Sequence, residues 1–419
     1  MSGDLRRMIA LPQAVALYVA AVVGAGVLIL PGLAATEAGP ASIISWACVS
    51  LLGVPLALTF ASLASRYPDP GGVATYVTLA FGAGPGAAAG WFYFIAAATG
   101  QIIVPLTGAY YVAAALALGT RATFLLAGAI LAFGVGANLF GLGVSGRAAL
   151  LLSAGIALLL LAAAALALPR MEAGRWRPFA PHGWGAVGRA GALIFFAFFG
   201  WEAIAHLSAE FRDPERDVPR ATLYAVGLVT LLYVGVAVAI VGTGTYGSPE
   251  LDRVAVARLR GDSLGVGATG VAAAMALVIA TGTSNAFVAA ASRLAYALAR
   301  DDAFPAALGR LDRKGVPRLA VLAVGTYAAA GLALSYFVGW GADAWLPIPN
   351  ALGIATYIIG GAAGVKLLRG SGRWMALASC ALCAAILPFA GVFALLPPSV
   401  AVATALYRRR RSRRTAAAR

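Results

Sequence analysis

Glu202 and His206 carry the sharpest chemical potential in this chain, because they sit in the otherwise apolar stretch GALIFFAFFGWEAIAHLSAEF. Four residues apart on an intact helix, a carboxyl and an imidazole can interact. At bilayer depth such a pair can relay a proton. A structural hydrogen bond that pins the neighbouring backbone is the other role the pair fits. The stretch AAVVGAGVLILPGLAA, residues 20–35, poses the converse problem. It holds no ionisable group, yet it carries Gly24, Gly26, Pro31 and Gly32. An interior Gly costs a helix roughly 1 kcal/mol relative to Ala, and Pro about 3 kcal/mol. Backbone that leaves a helix inside lipid must find partners for its N–H and C=O groups. A zwitterion supplies both kinds. Its carboxylate suits the N–H groups around Gly26 and Val27. Its ammonium suits the carbonyls around Val22 and Val23 and near Phe198 and Phe199. Pro31 has no N–H to give the Val27 carbonyl, which loosens the segment further.

The elements that must hold these groups are membrane spans. The 419 residues are 61% hydrophobic and 11% charged, with mean hydropathy +0.87, against about 25% charge in a soluble domain. Apolar runs of bilayer length predict an all-α polytopic membrane protein of about twelve spans. These are 10–36, 41–65, 85–115, 122–141, 147–168, 189–210, 219–243, 264–298, 318–338, 347–367, 373–388 and 390–407. The first is too long for a cleaved signal. The net charge of +15 lies in short loops and in the tail YRRRRSRR, as topology signals and anionic-lipid contacts do, and does not imply nucleic acid. The excess of Lys and Arg on one side places both termini in the cytoplasm.

Span 6 mirrors span 1. Gly200 follows the Gly24–Gly26 pair by about 175 positions, and interrupted segments at matching places in two halves point to a transporter's binding site. An offset of five spans inverts the second repeat. A lone Gly-x-Gly would suit close helix packing; the paired break beside Glu202 favours a site. The expected substrate-binding residues are Val23, Gly24, Ala25, Gly26, Val27, Phe198, Phe199, Gly200, Trp201 and Glu202, with Phe199 and Trp201 chosen for pocket or gate. The expected divisions are 1–168 (first repeat), 169–188 (outer loop), 189–367 (second repeat), 368–407 (two further spans) and 408–419 (basic tail).

Other polar residues at depth are Gln101 and Thr99 on span 3 and Thr281, Thr283, Ser284 and Asn285 on span 8. They line the site or join helices to one another. Arg66, Asp213, Asp217, Arg220 and Arg293 near the inner ends of spans form either a cytoplasmic gate or a solvated charged surface. A charged substrate side chain would be buried without a counter-charge, at a cost of several kcal/mol, so the expected substrate is a neutral, apolar amino acid. Cys380 and Cys383 read as small buried residues rather than a redox or metal pair; no metal or cofactor is expected. An enzyme would need a nucleophile with its base or a carboxylate pair at depth, and a channel a ring of charge; the sequence offers neither.

Four segments carry a family resemblance: GAGVLILPG, RYPDPGGVATYV, FFGWEAIAHLSAEFRDPERDVPRA and SRLAYALARDDAFPAALGRLD. They resemble the amino acid–polyamine–organocation (APC) superfamily. The WEAIAHL stretch is most similar to its bacterial methionine and branched-chain amino acid exporter branch. The resemblance implies a LeuT-type fold of two inverted five-helix repeats with helices 1 and 6 broken. It implies alternating access around a site between spans 1, 3, 6 and 8, in a bacterial inner membrane. The activity implied is export of methionine, leucine, isoleucine or valine coupled to protons, with an uptake permease or exchanger as the alternative. The span 5 lysine that replaces sodium in several relatives is missing here.

Overall fold

The computed structural model describes residues 11, 15, 19, 22–67, 71–141, 146–201, 214–259, 265–313 and 315–417. Glu202, His206 and Asp213 lie outside the described residues. Lipid offers no hydrogen-bond partner, so each apolar run closes its own backbone bonds as a helix. Span 2 is Ser42–Arg66, span 3 Ala83–Leu116, span 4 Thr120–Leu139 and span 5 Gly146–Ala167. Span 7 is Pro214–Thr243, span 8 Gly265–Arg300, span 9 Arg318–Val338 and span 10 Pro347–Leu367. Two 41-residue stretches, Gly26–Arg66 and Ser371–Arg411, are each about twice a bilayer in length. Each is divided by a 3₁₀ segment, Gly39–Ala41 and Leu387–Leu395, so each holds parts of two spans.

Two boundaries depart from expectation. Span 11 ends at Ile386, and span 12 starts at Leu396 and runs on to Ala417. The basic tail is therefore the last turns of a helix rather than a separate segment. Arg411 pairs with Asp302 at 2.6 Å and donates to the Phe304 carbonyl, and Arg408 donates to the Ala83 carbonyl. A short helix that the apolar runs did not show, Val73–Phe81, precedes span 3 between the positive-φ residues Gly72 and Gly82.

Spans 1, 2, 6 and 7 pack on one another, and spans 3, 4, 8 and 9 form a second set whose most extensive pairing is span 3 with span 8. In each set a span touches the one five places later: 1 with 6, 2 with 7, 3 with 8, 4 with 9. Small residues permit the close approach that packing in lipid relies on; a Cβ on Gly108 of span 3 would lie 2.4 Å from that of Ala280 of span 8. Between spans 7 and 8 the chain forms two short helices, Pro249–Asp252 and Ala255–Arg258, that lie against the Gly26–Ala38 half of span 1. This strap is on the face expected to be outer.

Candidate functional site

Span 1 loses its helix over Val23–Ala25 and regains it at Gly26. Before the break, the Val23 N–H still bonds the Val19 carbonyl at 2.8 Å, while the Gly24 N–H turns back to Val22 at 2.9 Å. The helix that restarts at Gly26 has no side-chain cap. Its first-turn N–H groups, those of Gly26 and Val27 among them, are the donors an anion would use. Pro31 does not break this second half, which continues through it to Ala38. Tyr111 of span 3 instead donates to the Leu28 carbonyl at 2.7 Å, one residue beyond the position freed by the missing N–H.

Span 6 runs as a helix over Trp184–Ile194, tightens to 3₁₀ over Phe195–Phe198 and then turns. Phe199 is extended, at φ −67° and ψ 136°, and Gly200 has φ 122°, a conformation that L side chains rarely adopt. The two breaks meet. A Cβ on Gly26 would lie 3.4 Å from the Ala197 Cα and 3.5 Å from the Phe196 ring. The paired glycine interruptions of the sequence are thus one place in the fold.

Tyr233 of span 7 joins them, and sequence reading missed it. Its hydroxyl lies 3.0 Å from the Val22 carbonyl and 2.9 Å from the Ala197 carbonyl. One buried phenol thus reaches a carbonyl at each of the two breaks. A mid-span tyrosine on an unbroken helix carries no local signal of that role.

The aromatics divide by neighbour. Phe198 packs against Trp46 and Tyr233. Phe199 packs edge-to-face with Phe195 and tilted against Tyr357, over Gly353 of span 10. Trp201 is 1% exposed, with its indole over Gly53 of span 2. Phe196, which the sequence reading did not select, faces the junction: its ring bridges Gly26 and Gly100 of span 3, 3.5 and 3.6 Å from where their Cβ atoms would stand.

Three consecutive polar residues of span 8 reach three helices. Thr283 faces Gly24, its methyl 3.4 Å from that residue's Cβ position. The Ser284 hydroxyl donates to Gln101 Oε1 at 2.8 Å. Asn285 accepts from Asn138 of span 4 at its side-chain oxygen, 2.8 Å, and at its carbonyl, 3.0 Å. Gln101, Ser284 and Asn285 therefore join spans 3, 4 and 8, and of the triplet only Thr283 reaches the break. Gln101 Nε2 is buried without a partner among the described residues. Ser284→Ala is expected to remove the remaining bond of that amide and lower stability by about 1–2 kcal/mol, read as a drop in Tm of the detergent-solubilised protein.

Of the expected gate, Arg66, Arg220 and Arg293 are exposed and Asp217 is half-buried. Among the described residues these four form no ion pair with one another. Cys383 is buried and Cys380 partly so. A groove of about 540 Å³ is lined wholly by spans 4 and 9, with Arg121 at one end and Leu125, Leu131, Leu322 and Phe337 along it; it is separate from the junction.

Two helices broken at one central contact, within paired helix sets, define a LeuT-type transporter, and a solved architecture agrees. The crystal structure of MhsT in complex with L-phenylalanine matches with a TM-score of 0.64, covering 93% of this chain and 99% of that one at 16% identity. The sequence profile described as amino acid permease matches residues 9–411. The chain belongs to this amino acid permease family, within the APC superfamily. It is 36% identical over 97% of its length to the uncharacterized amino acid permease YecA of Bacillus subtilis, of which 96% is covered. It is 30% identical to the L-methionine/branched-chain amino acid exporter YjeH of Escherichia coli, with 93% of each chain covered. The protein is a multi-pass membrane protein, and its relatives and fold are those of amino acid transporters.

Proposed function

We propose that this protein is an alternating-access exporter of neutral, apolar L-amino acids, of the methionine, leucine, isoleucine and valine class, driven by protons across the bacterial inner membrane with both termini in the cytoplasm. The observation that carries this reading is the contact between the uncapped start of the Gly26 helix and Phe196–Ala197, in the 3₁₀ segment that leads into the turn at Phe199–Gly200. The substrate carboxylate bonds the N–H groups of Gly26 and Val27. Its ammonium takes the carbonyls left by the two breaks, Val23 and Phe199 first, because Val22 and Ala197 share the Tyr233 hydroxyl. Its side chain displaces the Phe196 ring between Gly26 and Gly100. These walls are uncharged, which suits an apolar side chain. The exporter named among the relatives supports the substrate class and the direction.

A stabilisation screen against the twenty amino acids tests the substrate: methionine and the branched-chain residues should raise Tm, and arginine and glutamate should not. Counterflow in vesicles tests the carrier. Glu202→Gln is expected to abolish pH-driven flux while leaving counterflow measurable, since it removes the proton but keeps a similar shape. Unchanged flux with unchanged pH dependence would end the proton role of Glu202 and His206. An uptake permease is the second reading, favoured by the branched-chain amino acid permease BcaP of Bacillus subtilis, 28% identical over 54% of this chain and 52% of that one. The direction of flux under an imposed gradient in oriented vesicles separates the two.

A further inference from the structure

Outside the site, one carboxyl group is buried with no role in the reading above. Asp252 is 2% exposed, at the end of the first strap helix. Its two oxygens lie 2.9 and 2.8 Å from the Thr36 hydroxyl, on the outer half of broken span 1. The Gly247 N–H donates to Asp252 Oδ1 at 2.9 Å and also approaches Thr36 Oγ1 at 3.0 Å. The strap sits flush there: a Cβ on Gly32 of span 1 would lie 2.5 Å from the Asp252 carbonyl oxygen.

The neighbouring charges are few. Arg253 bonds Asp343 at 3.0 Å and stacks over Tyr110 of span 3, whose hydroxyl accepts from the Ala342 N–H. Among the described residues, Arg253 and Asp343 are the charges that act on Asp252; Glu250, on the same short helix, acts on Arg253. Glu37, the next residue on span 1, is held by Arg189 at 2.6 Å.

Thr36 has one proton and stands within bonding distance of both carboxyl oxygens. An ionised Asp252 takes that proton on one oxygen and leaves the other contact without a hydrogen. A protonated Asp252 completes a closed pair: its own O–H donates to Thr36 Oγ1, and the Thr36 hydroxyl donates to the other oxygen alongside Gly247.

We propose that Asp252 is a proton-binding site reached from the strap face, and that the bound proton fastens the strap to the outer half of span 1. The balance is one aqueous proton added to one carboxylate as the strap closes, and returned to the same face as it opens. Burial pushes the strapped carboxyl above the ordinary carboxylate range; Gly247, Thr36 and Arg253 pull it back in part, and Asp343 adds to the rise. Released into water, the group returns to that ordinary range. The strapped state therefore binds the proton more readily. Acid stabilises the strap, and this contribution is lost as pH rises through the strapped value. That the pH sensed is the outer one rests on the proposed orientation of the termini; the fastening itself does not.

The test is a spin-label distance between Leu118, an exposed residue at the span 3–span 4 turn, and the exposed Glu250, both replaced by labelled cysteines. The full chain is used in nanodiscs, with Cys48, Cys380 and Cys383 replaced by Ala, and no amino acid is added. Across a series from about pH 4 to about pH 8, a longer distance should gain population as pH rises, by about tenfold per unit of pKa difference between the two states. Asp252→Asn, whose amide donates to Thr36 as the acid does, should stay at the short distance throughout. Thr36→Val should populate the longer distance at every pH. A wild-type distribution that is constant across the series, that lengthens on acidification, or that Asp252→Asn reproduces with its pH dependence intact would overturn the proposal. None of these outcomes bears on whether the chain carries amino acids, which counterflow reads independently.

Discussion

Tyr233→Phe is expected to lower transport by about tenfold or more and Tm by several degrees, with no change in helical content. The phenol is fully buried and serves two carbonyls, Val22 at the end of one half-helix and Ala197 in the 3₁₀ turn of the other. Removing the hydroxyl takes that donor from the Ala197 carbonyl and leaves the Val22 carbonyl with the Gly24 N–H, in a place that lipid does not reach. The cost is about 1–3 kcal/mol, at the lower end if the neighbouring helices relax as they do in membrane proteins. The larger effect falls on transport. The Tyr233 hydroxyl ties the two breaks to each other, and a loss of 1.4 kcal/mol in the geometry of the proposed zwitterion site is a factor of about ten. Counterflow and Tm measured on the same preparation check it. A variant that loses stability but carries substrate at the wild-type rate would show that Tyr233 is only a structural strut.

Gly353→Ala is the second large effect. A Cβ there would stand 1.6 Å from the Phe199 Cζ, so the ring must leave its seat between Phe195 and Tyr357. Overpacking of this kind costs about 1–3 kcal/mol. Because Phe199 begins the turn at Gly200, displacing it also moves the carbonyl assigned to the ammonium. The expected outcome is weak expression or a lowered Tm together with lost substrate-induced stabilisation. Phe199→Leu added to Gly353→Ala should recover much of the stability, because the smaller side chain gives way. A double variant no more stable than Gly353→Ala alone would place the strain elsewhere.

The placement of the two helix interruptions was legible in the sequence for a physical reason. In lipid, a glycine pair or a Gly-x-Glu within an apolar run carries a cost, and only a compensating ligand or neighbour makes it tolerable. Gly24, Gly26 and Gly200 were visible on those grounds, and the structure brings Gly26 against Phe196 and Ala197, just before the turn at Gly200. Which aromatics face the junction was not legible. Phe195, Phe196, Phe198 and Phe199 are alike by type and adjacent in sequence; a switch from α to 3₁₀ geometry rotates each one, and that switch depends on packing against spans 2, 3, 7 and 10. Phe199 and Trp201 went to Gly353 and Gly53, and Phe196 turned to Gly100.

The chain's own residues determined the class of protein, the approximate spans and the two interruptions, because hydropathy, charge and glycine act locally along the chain. Tertiary structure alone decided that Tyr233 closes both interruptions, that Ser284 spends its hydroxyl on Gln101, and that Asp252 is sealed against Thr36 across 216 positions. Those roles come from partners brought together by packing, and a polar residue's neighbours across the bundle leave no trace in its own sequence surroundings.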